Sequence, residues 1–172
     1  MYNVYKQITG QIRQNEHRRQ AMLKKGFVLL AGCCLMAMTA VSAKADDAGE
    51  ATSLVKKVVA DYKTSGFEQV TKDISTANGK YAKGELYAFA YDLDGTMMAH
   101  PNAALIGKNT LNVPDVNGKM FRKEIIEKAK KQPQGAWTDY TYQNPKTKAV
   151  EQKTTYCENP GDLVICAGIY KK

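Results

Sequence analysis

The sequence contains few of the residues that usually build metal and catalytic sites. Its 172 residues include two histidines, four cysteines and one tryptophan. Half of the cysteines and one histidine lie in the first 45 residues, which leaves His100 as the sole histidine of the remainder. Because His100 has no second histidine and no ligand spacing around it, no metal site is expected.

Most of the excess positive charge lies at the amino terminus. The whole chain has a formal net charge of +8, but seven of its 25 basic residues and one of its 17 acidic residues precede residue 46. The remainder therefore carries 18 bases and 16 acids, a net charge of +2. A nucleic-acid interface needs basic residues clustered on one face. Here acids are interspersed throughout, so nucleic-acid binding is not expected.

The pattern of residues 1–45 predicts a targeting segment, in which the residues before Met22 are an over-long start. The apolar run 26–43, GFVLLAGCCLMAMTAVSA, follows Lys24-Lys25 and ends at the small-residue site Ala43-Lys44-Ala45. This pattern predicts a signal peptide that starts at Met22 and is cleaved near Ala45, giving a periplasmic or secreted product. Two alternatives stay open. The run approaches the ~20 residues of a membrane anchor, and the stretch ending at Cys33, LAGC, matches a lipobox.

The remaining residues, 46–172, fit one domain of ordinary size. Apolar residues at helical spacing predict a helix over 48–63, which Gly66 ends, then a shorter helix over 67–74. A second amphipathic helix is predicted over 119–131. Strand patterns cover 86–92, 97–100, 137–142, 150–157 and 163–170. This order predicts an α+β fold with an antiparallel sheet, interrupted by a long ordered loop over 101–118.

The stretch Asp92-Leu93-Asp94-Gly95-Thr96 allows two interpretations. It matches the D-x-D-G-T signature of haloacid-dehalogenase-type phosphatases, in which Asp92 would be the nucleophile. That fold is a parallel, doubly wound sheet beginning at this motif, whereas here two helices precede it and a hairpin strand follows. Asp-Gly between two strand-like runs is instead a strong hairpin signal, with positive φ expected at both central residues.

Six segments in register resemble the single Cache domain of the second type, a PAS-like extracytoplasmic sensor module. They are YAFAYDLDGTMMAHP, IGKN, DVNGKMFRKEIIEKAK, GAWTDYTYQNP, KTTY and AGIY, and the resemblance runs from about Ala48 to Tyr170. It implies a five-stranded antiparallel sheet with a long N-terminal helix on one face and a loop–helix insert over the other. Ligands of such domains are mostly small organic acids or similar metabolites, bound without a cofactor and without catalysis.

The chain departs from the usual setting of such domains, which lie between two membrane spans of a chemoreceptor or kinase. No second apolar span follows the first. The sequence therefore favours a free binding protein, or one that presents its state to a membrane-bound receptor or kinase.

Lys153 is the preferred cation for a small carboxylate. It shares one strand face with Glu151, Thr155 and Cys157, and its KTTY segment resembles the K-x-x-Y of the family near the pocket. A solvated lysine is the alternative. Arg122, beside Lys119 and Lys123 on a helix, is expected to be solvated. The full set of predicted ligand-binding residues is Phe89, Tyr91, His100, Trp137, Tyr140 and Lys153.

Two of these assignments carry conditions. His100 could donate a hydrogen bond to a ligand or serve only as a structural histidine. The alternation of side chains along a strand puts Trp137 and Tyr140 on opposite faces, so that both could reach one ligand only across a bulge.

Cys157 and Cys166 are candidates for a disulfide in an exported protein. A two-residue turn at Gly161-Asp162 would place them opposite each other as a non-hydrogen-bonded pair, which suits a bridge. A longer turn would shift the register and separate them.

Three functions follow from these observations. The leading one is an exported, non-enzymatic sensor of a small metabolite, with a short-chain carboxylate preferred. The second is a ligand-free Cache-fold module that partners a membrane sensor. The phosphatase using Asp92 is a remote third.

Overall fold

The computed structural model describes residues 47–171. The predicted signal peptide, its start at Met22, the cleavage site near Ala45 and the lipobox at Cys33 lie outside the described residues, and remain predictions.

Helix α1 spans Asp47–Ser75 and is kinked at Gly66. Gly66 has φ 78° and ψ 178°, a backbone conformation that is essentially restricted to glycine. This confirms the prediction of two helical segments separated at Gly66. Lys80 forms ion pairs with both segments, because its ammonium lies 3.5 Å from the Asp61 carboxylate and 2.8 Å from that of Asp73.

The sheet contains six antiparallel strands. They are β1 (Ala82–Lys83), β2 (Leu86–Tyr91), β3 (Met97–Ala99), β4 (Ala136–Gln143), β5 (Val150–Glu158) and β6 (Val164–Tyr170). Their order is β1-β2-β6-β5-β4, and β3 pairs with β2 beyond the two residues that β1 occupies. The predicted α+β class and antiparallel sheet are confirmed. Sequence reasoning missed the two-residue β1, which is too short to show alternation.

The hairpin between β2 and β3 confirms that the D-x-D-G-T segment is a turn. The Asp92 carboxylate accepts hydrogen bonds from the backbone N–H of Asp94 at 2.9 Å and of Thr96 at 2.7 Å. The predicted turn type was wrong, because Gly95 alone has positive φ here, at 82°. The loop is a longer one with Gly95 in the left-handed region. The Asp92 carboxylate stabilises this longer loop, because it accepts hydrogen bonds from two N–H groups of the loop itself.

The insert between β3 and β4 covers the face of the sheet opposite α1. It comprises a short 3₁₀ helix, Ala103–Leu105, and helix α2, Phe121–Lys131, which buries Phe121, Ile125, Ile126 and Ala129. Asp115 fastens the loop to β4, because its carboxylate accepts hydrogen bonds from the N–H and the hydroxyl of Thr141 at 2.9 and 2.7 Å. The predicted long ordered loop is therefore present.

The two faces of the sheet form two apolar clusters. Ala88, Ala90, Ile165 and Ala167 pack against the buried stripe of α1. On the other face, Phe89, Tyr91 and Tyr140 pack against α2. No helix among residues 47–171 is both long enough and apolar enough to span a membrane.

Cys157 and Cys166 form a disulfide between β5 and β6. Their Cα atoms are 4.1 Å apart, which is typical of a non-hydrogen-bonded pair. The pairing of Glu158 with Ile165 and of Cys157 with Cys166 is the register counted from a turn at Gly161-Asp162.

Candidate functional site

A lysine lies at the centre of the sheet face that the insert covers. Lys153, in the middle of β5, is 1% exposed. Its ammonium donates hydrogen bonds to the hydroxyl oxygens of Tyr87 at 3.0 Å and Tyr170 at 3.5 Å. It also lies 4.5 Å from the ring centre of Tyr87 and 4.7 Å from that of Tyr170. Contacts of this kind stabilise a cation at the face of an aromatic ring.

No carboxylate forms an ion pair with Lys153 within residues 47–171. Burial lowers the pKa of its ammonium from the ordinary 10.5 to about 7. A buried charge is costly unless it is paired. The site therefore holds an amine whose charged form would gain from an incoming anion.

His100 lies beside this amine at the end of β3 and is 7% exposed. Its Nδ1 accepts a hydrogen bond from the Asn102 N–H at 2.8 Å, so the neutral ring carries its proton on Nε2. Burial, and next the charge of Lys153, lower the pKa of His100 to about 4. His100 is thus both a structural residue through Nδ1 and a neutral donor through Nε2, for which the described residues supply no acceptor.

Aromatic side chains form the walls around both groups. Phe121 from α2 stacks on Tyr140 from β4, with ring centres 3.9 Å apart. The His100 ring lies 5.2 Å from that of Tyr87, edge to face. Between these side chains is a cavity of about 20 Å³, lined by Tyr87, Phe89, Tyr91, Met97, His100, Phe121, Tyr140, Tyr142 and Lys153. This small cavity is called the inner cavity below.

A wider cleft adjoins the inner cavity. It has a volume of about 620 Å³ and shares three lining residues with the inner cavity, Tyr87, His100 and Tyr142. We call this space the outer cleft. Its other walls come from the turn after α1, from β1 and the turn that follows it, from the start of the insert, and from the end of β4 with the β4–β5 turn.

A family model named "Single Cache domain 2" matches residues 16–172. The chain belongs to the single Cache domain 2 family. No curated protein matches its sequence. The family is one of extracytoplasmic sensor domains, which are not enzymes.

Solved Cache structures share the fold at low sequence identity. A methyl-accepting chemotaxis protein from Vibrio parahaemolyticus RIMD 2210633 has a TM-score of 0.60 and 22% identity, covering 72% of this chain and 88% of that one. The periplasmic sensor domain of a chemotaxis protein has a TM-score of 0.56 and 21% identity, covering 70% and 87%. A Cache chemosensory domain described for carboxylic acid recognition has a TM-score of 0.56 and 20% identity, covering 72% and 87%.

Five of the six residues predicted to bind ligand lie together around the inner cavity of this Cache domain: Phe89, Tyr91, His100, Tyr140 and Lys153. Trp137 does not. It lies on the opposite face of the sheet, 5.3 Å from the Tyr156 ring and packed against the α1 cluster. β4 pairs with β5 in continuous register, so no bulge turns Trp137 towards the cavity.

Sequence reasoning missed four aromatic residues of the site: Tyr87, Tyr142 and Phe121 at the inner cavity, and Tyr170, whose hydroxyl accepts a hydrogen bond from Lys153. Tyr87 and Tyr142 follow the same alternation as Phe89 and Tyr140, which was the available signal. Phe121 was expected only as a core residue of α2. Arg122 also differs from expectation, because its guanidinium stacks over the Phe121 ring at 4.1 Å and donates to the Val113 carbonyl oxygen at 3.0 Å.

Proposed function

We propose that this protein is an exported, non-enzymatic sensor that binds a small carboxylate at Lys153. The observation that supports this proposal is a buried ammonium with no acidic partner among the described residues, beside the donor Nε2–H of His100. Lys153 uses two hydrogen bonds on tyrosine hydroxyls, which leaves one N–H of the ammonium for a ligand. A carboxylate accepts hydrogen bonds and supplies the missing negative charge.

The same geometry disfavours amines and cations as ligands. Among the described residues, all polar groups that meet at the inner cavity are donors or hydroxyls, and no lining residue carries a negative charge. A ligand ammonium would meet the Lys153 ammonium without a counter-charge. The phosphatase alternative has no support, because the Asp92 carboxylate caps its own turn.

Membership of a sensor family supports a signalling role, and a signalling role needs a partner protein that responds to ligand binding. Ligand binding between the sheet and the insert would change how tightly α2 and the loop pack on the sheet. A membrane-bound receptor or kinase that contacts the exported protein would then read this change.

A thermal-shift screen of the purified protein tests the proposal. Short carboxylates are compared with amines and amino acids. A ligand present at about 100 times its own dissociation constant adds about 2.7 kcal/mol to the free energy of unfolding. We expect carboxylates to raise the midpoint and Lys153→Ala to abolish the rise. The surface variant Lys56→Ala is the matched control. If no carboxylate raised the thermal midpoint, the proposal would be overturned and the ligand-free interaction module favoured.

A further inference from the structure

The inner cavity cannot hold the body of an organic acid. Its volume of about 20 Å³ corresponds to roughly one water molecule. Its walls are tightly packed, as the 3.9 Å stack of Phe121 on Tyr140 shows. A carboxylate that reaches Lys153 must therefore leave the rest of its structure elsewhere.

The outer cleft has the size that the inner cavity lacks. Its volume of about 620 Å³ lies within the range of roughly 300–1,000 Å³ for small-molecule sites. Tyr87, His100 and Tyr142 border both spaces, so they mark the junction between them. A molecule lying in the cleft would have one end at this junction.

Two polar groups at the junction have no partner in the described part of the chain. Nε2–H of His100 makes no hydrogen bond within residues 47–171, while its Nδ1 accepts one from Asn102, and Nε2 is not fully buried, so it can meet a molecule in the cleft. The hydroxyl of Tyr142 likewise makes no hydrogen bond, while its ring centre lies 5.6 Å from the Lys153 ammonium. These groups surround the position at which a carboxylate could also pair with the Lys153 ammonium.

The walls of the outer cleft suit an apolar body attached to that carboxylate. They include the rings of Pro101 and Pro145 and the side chains of Ala82 and Leu105, besides the tyrosines of the junction. Apart from the junction residues, the polar residues that line it are amides, and Lys148 is the only charged lining residue in the part of the chain that the structure describes. No lining carboxylate would repel an anion.

We propose that the ligand is a carboxylate with an apolar body of ring size, of the arylalkanoic acid class. Its carboxylate lies at the junction of His100, Tyr142 and Lys153, and its ring lies in the outer cleft. This rests on the proposed carboxylate function, which it narrows: a short-chain acid fills the junction and leaves the cleft to water. The cleft is then the specificity determinant of the site.

Calorimetric titration of the full chain with acetate, propionate, butyrate and phenylacetate tests the proposal. Each buried methylene should raise the affinity about fourfold, so phenylacetate should bind at least about tenfold more tightly than acetate. Ala77, an exposed residue of the cleft wall, offers a variant that fills the cleft. Ala77→Trp should weaken phenylacetate binding about tenfold and leave acetate binding unchanged.

Ala60→Trp is the matched control, because Ala60 is an exposed alanine of α1 outside the cleft. If Ala77→Trp fails to fold, Gln143→Trp fills the same cleft from an exposed position on β4. Equal affinities for acetate and phenylacetate, or phenylacetate binding that both cleft variants leave intact, would overturn the cleft assignment but leave the carboxylate function standing. Failure of every acid to bind would overturn both.

Discussion

At the scale of single residues, Lys153 decides what this site can do. The side chain is buried among tyrosine rings with no acid to neutralise it, and its folded pKa of about 7 lies below the unfolded value of 10.5. Between these values the folded state binds fewer protons than the unfolded state, so this group makes stability rise with pH in that window. Below pH 7 the full cost of the buried charge is present.

Carboxylate affinity should fall as pH rises above 7. A bound anion favours the charged form of Lys153, so binding needs the protonated amine and weakens about tenfold per pH unit above its pKa. Tyr87, Tyr170 and His100 do not titrate between pH 6 and 9, because burial raises the pKa of Tyr87 and Tyr170 and lowers that of His100 to about 4. Calorimetric titrations across this range measure the effect, and a flat profile would contradict it.

Replacing Lys153 by methionine should stabilise the fold while abolishing ligand binding. Removal of a buried charge that lacks a partner should raise the free energy of unfolding by about 1–4 kcal/mol at pH 6. Urea denaturation of Lys153→Met measures this, with the exposed Lys56→Met as control. A large loss of stability would instead show that the ammonium is a structural group.

At the scale of elements, the insert depends on a few polar fastenings besides its apolar face. Asp115 accepts hydrogen bonds from the backbone N–H groups of Asn117 and Lys119 within the loop, and from Thr141 on β4. Burial opposes its charge, but these hydrogen bonds together lower the pKa of Asp115 to about 2. Its contribution to stability is therefore present above pH 3.8 and is lost as pH falls through 2.

Asp115→Ala should loosen the insert without unfolding the sheet. The loss of these charge-assisted bonds should lower the free energy of unfolding by about 2–3 kcal/mol. Hydrogen exchange should accelerate at the amides of Asn117, Lys119 and Thr141, which lose their acceptor. Asp162→Ala, at an exposed aspartate without a side-chain hydrogen bond in the described chain, is the control. Unchanged exchange at these three amides would show that the apolar face of α2 alone holds the insert.

At the scale of the whole molecule, the sheet separates the face that packs on α1 from the face that carries the candidate site. One face packs on α1 through small and aliphatic residues, and the other packs on the insert through aromatic ones. The disulfide between Cys157 and Cys166 joins the two central strands on the insert side, next to the site cluster. It closes a short loop of chain, because the two cysteines are only nine positions apart in the sequence.

Reduction of this disulfide should destabilise the domain moderately. A loop of this length contributes about 2–3 kcal/mol in the chain-entropy model, which lowers the thermal midpoint by roughly 10 °C. The midpoint is measured with and without reductant, and a Cys157→Ala/Cys166→Ala double variant should not respond to reductant. Alkylation of the native protein followed by mass measurement should modify neither cysteine, and two modified thiols would contradict the bridge.

Much of the fold and part of the site could be predicted because they depend on local patterns. Helical spacing identified the buried stripes of α1 and α2, and Gly66 marked the kink through its own backbone freedom. Alternation placed Lys153 and Cys157 on one face of β5. It also indicated that Trp137 and Tyr140 lie on opposite faces, so that both could not bind one ligand without a bulge. Only the structure showed that β4 has no bulge and that Trp137 is the residue facing away from the inner cavity.

The sequence by itself determined the long helices, the five longer strands, their faces and the family, but not the two-residue β1 or the short 3₁₀ helix. The tertiary structure decided whether Lys153 is solvated or buried, which tyrosines surround it, and that Arg122 stacks on Phe121 instead of extending into solvent. The physical reason is distance along the chain. Periodicity acts between residues a few positions apart, whereas Lys153 and Tyr87 are 66 positions apart and meet only when β2, β6 and β5 pair.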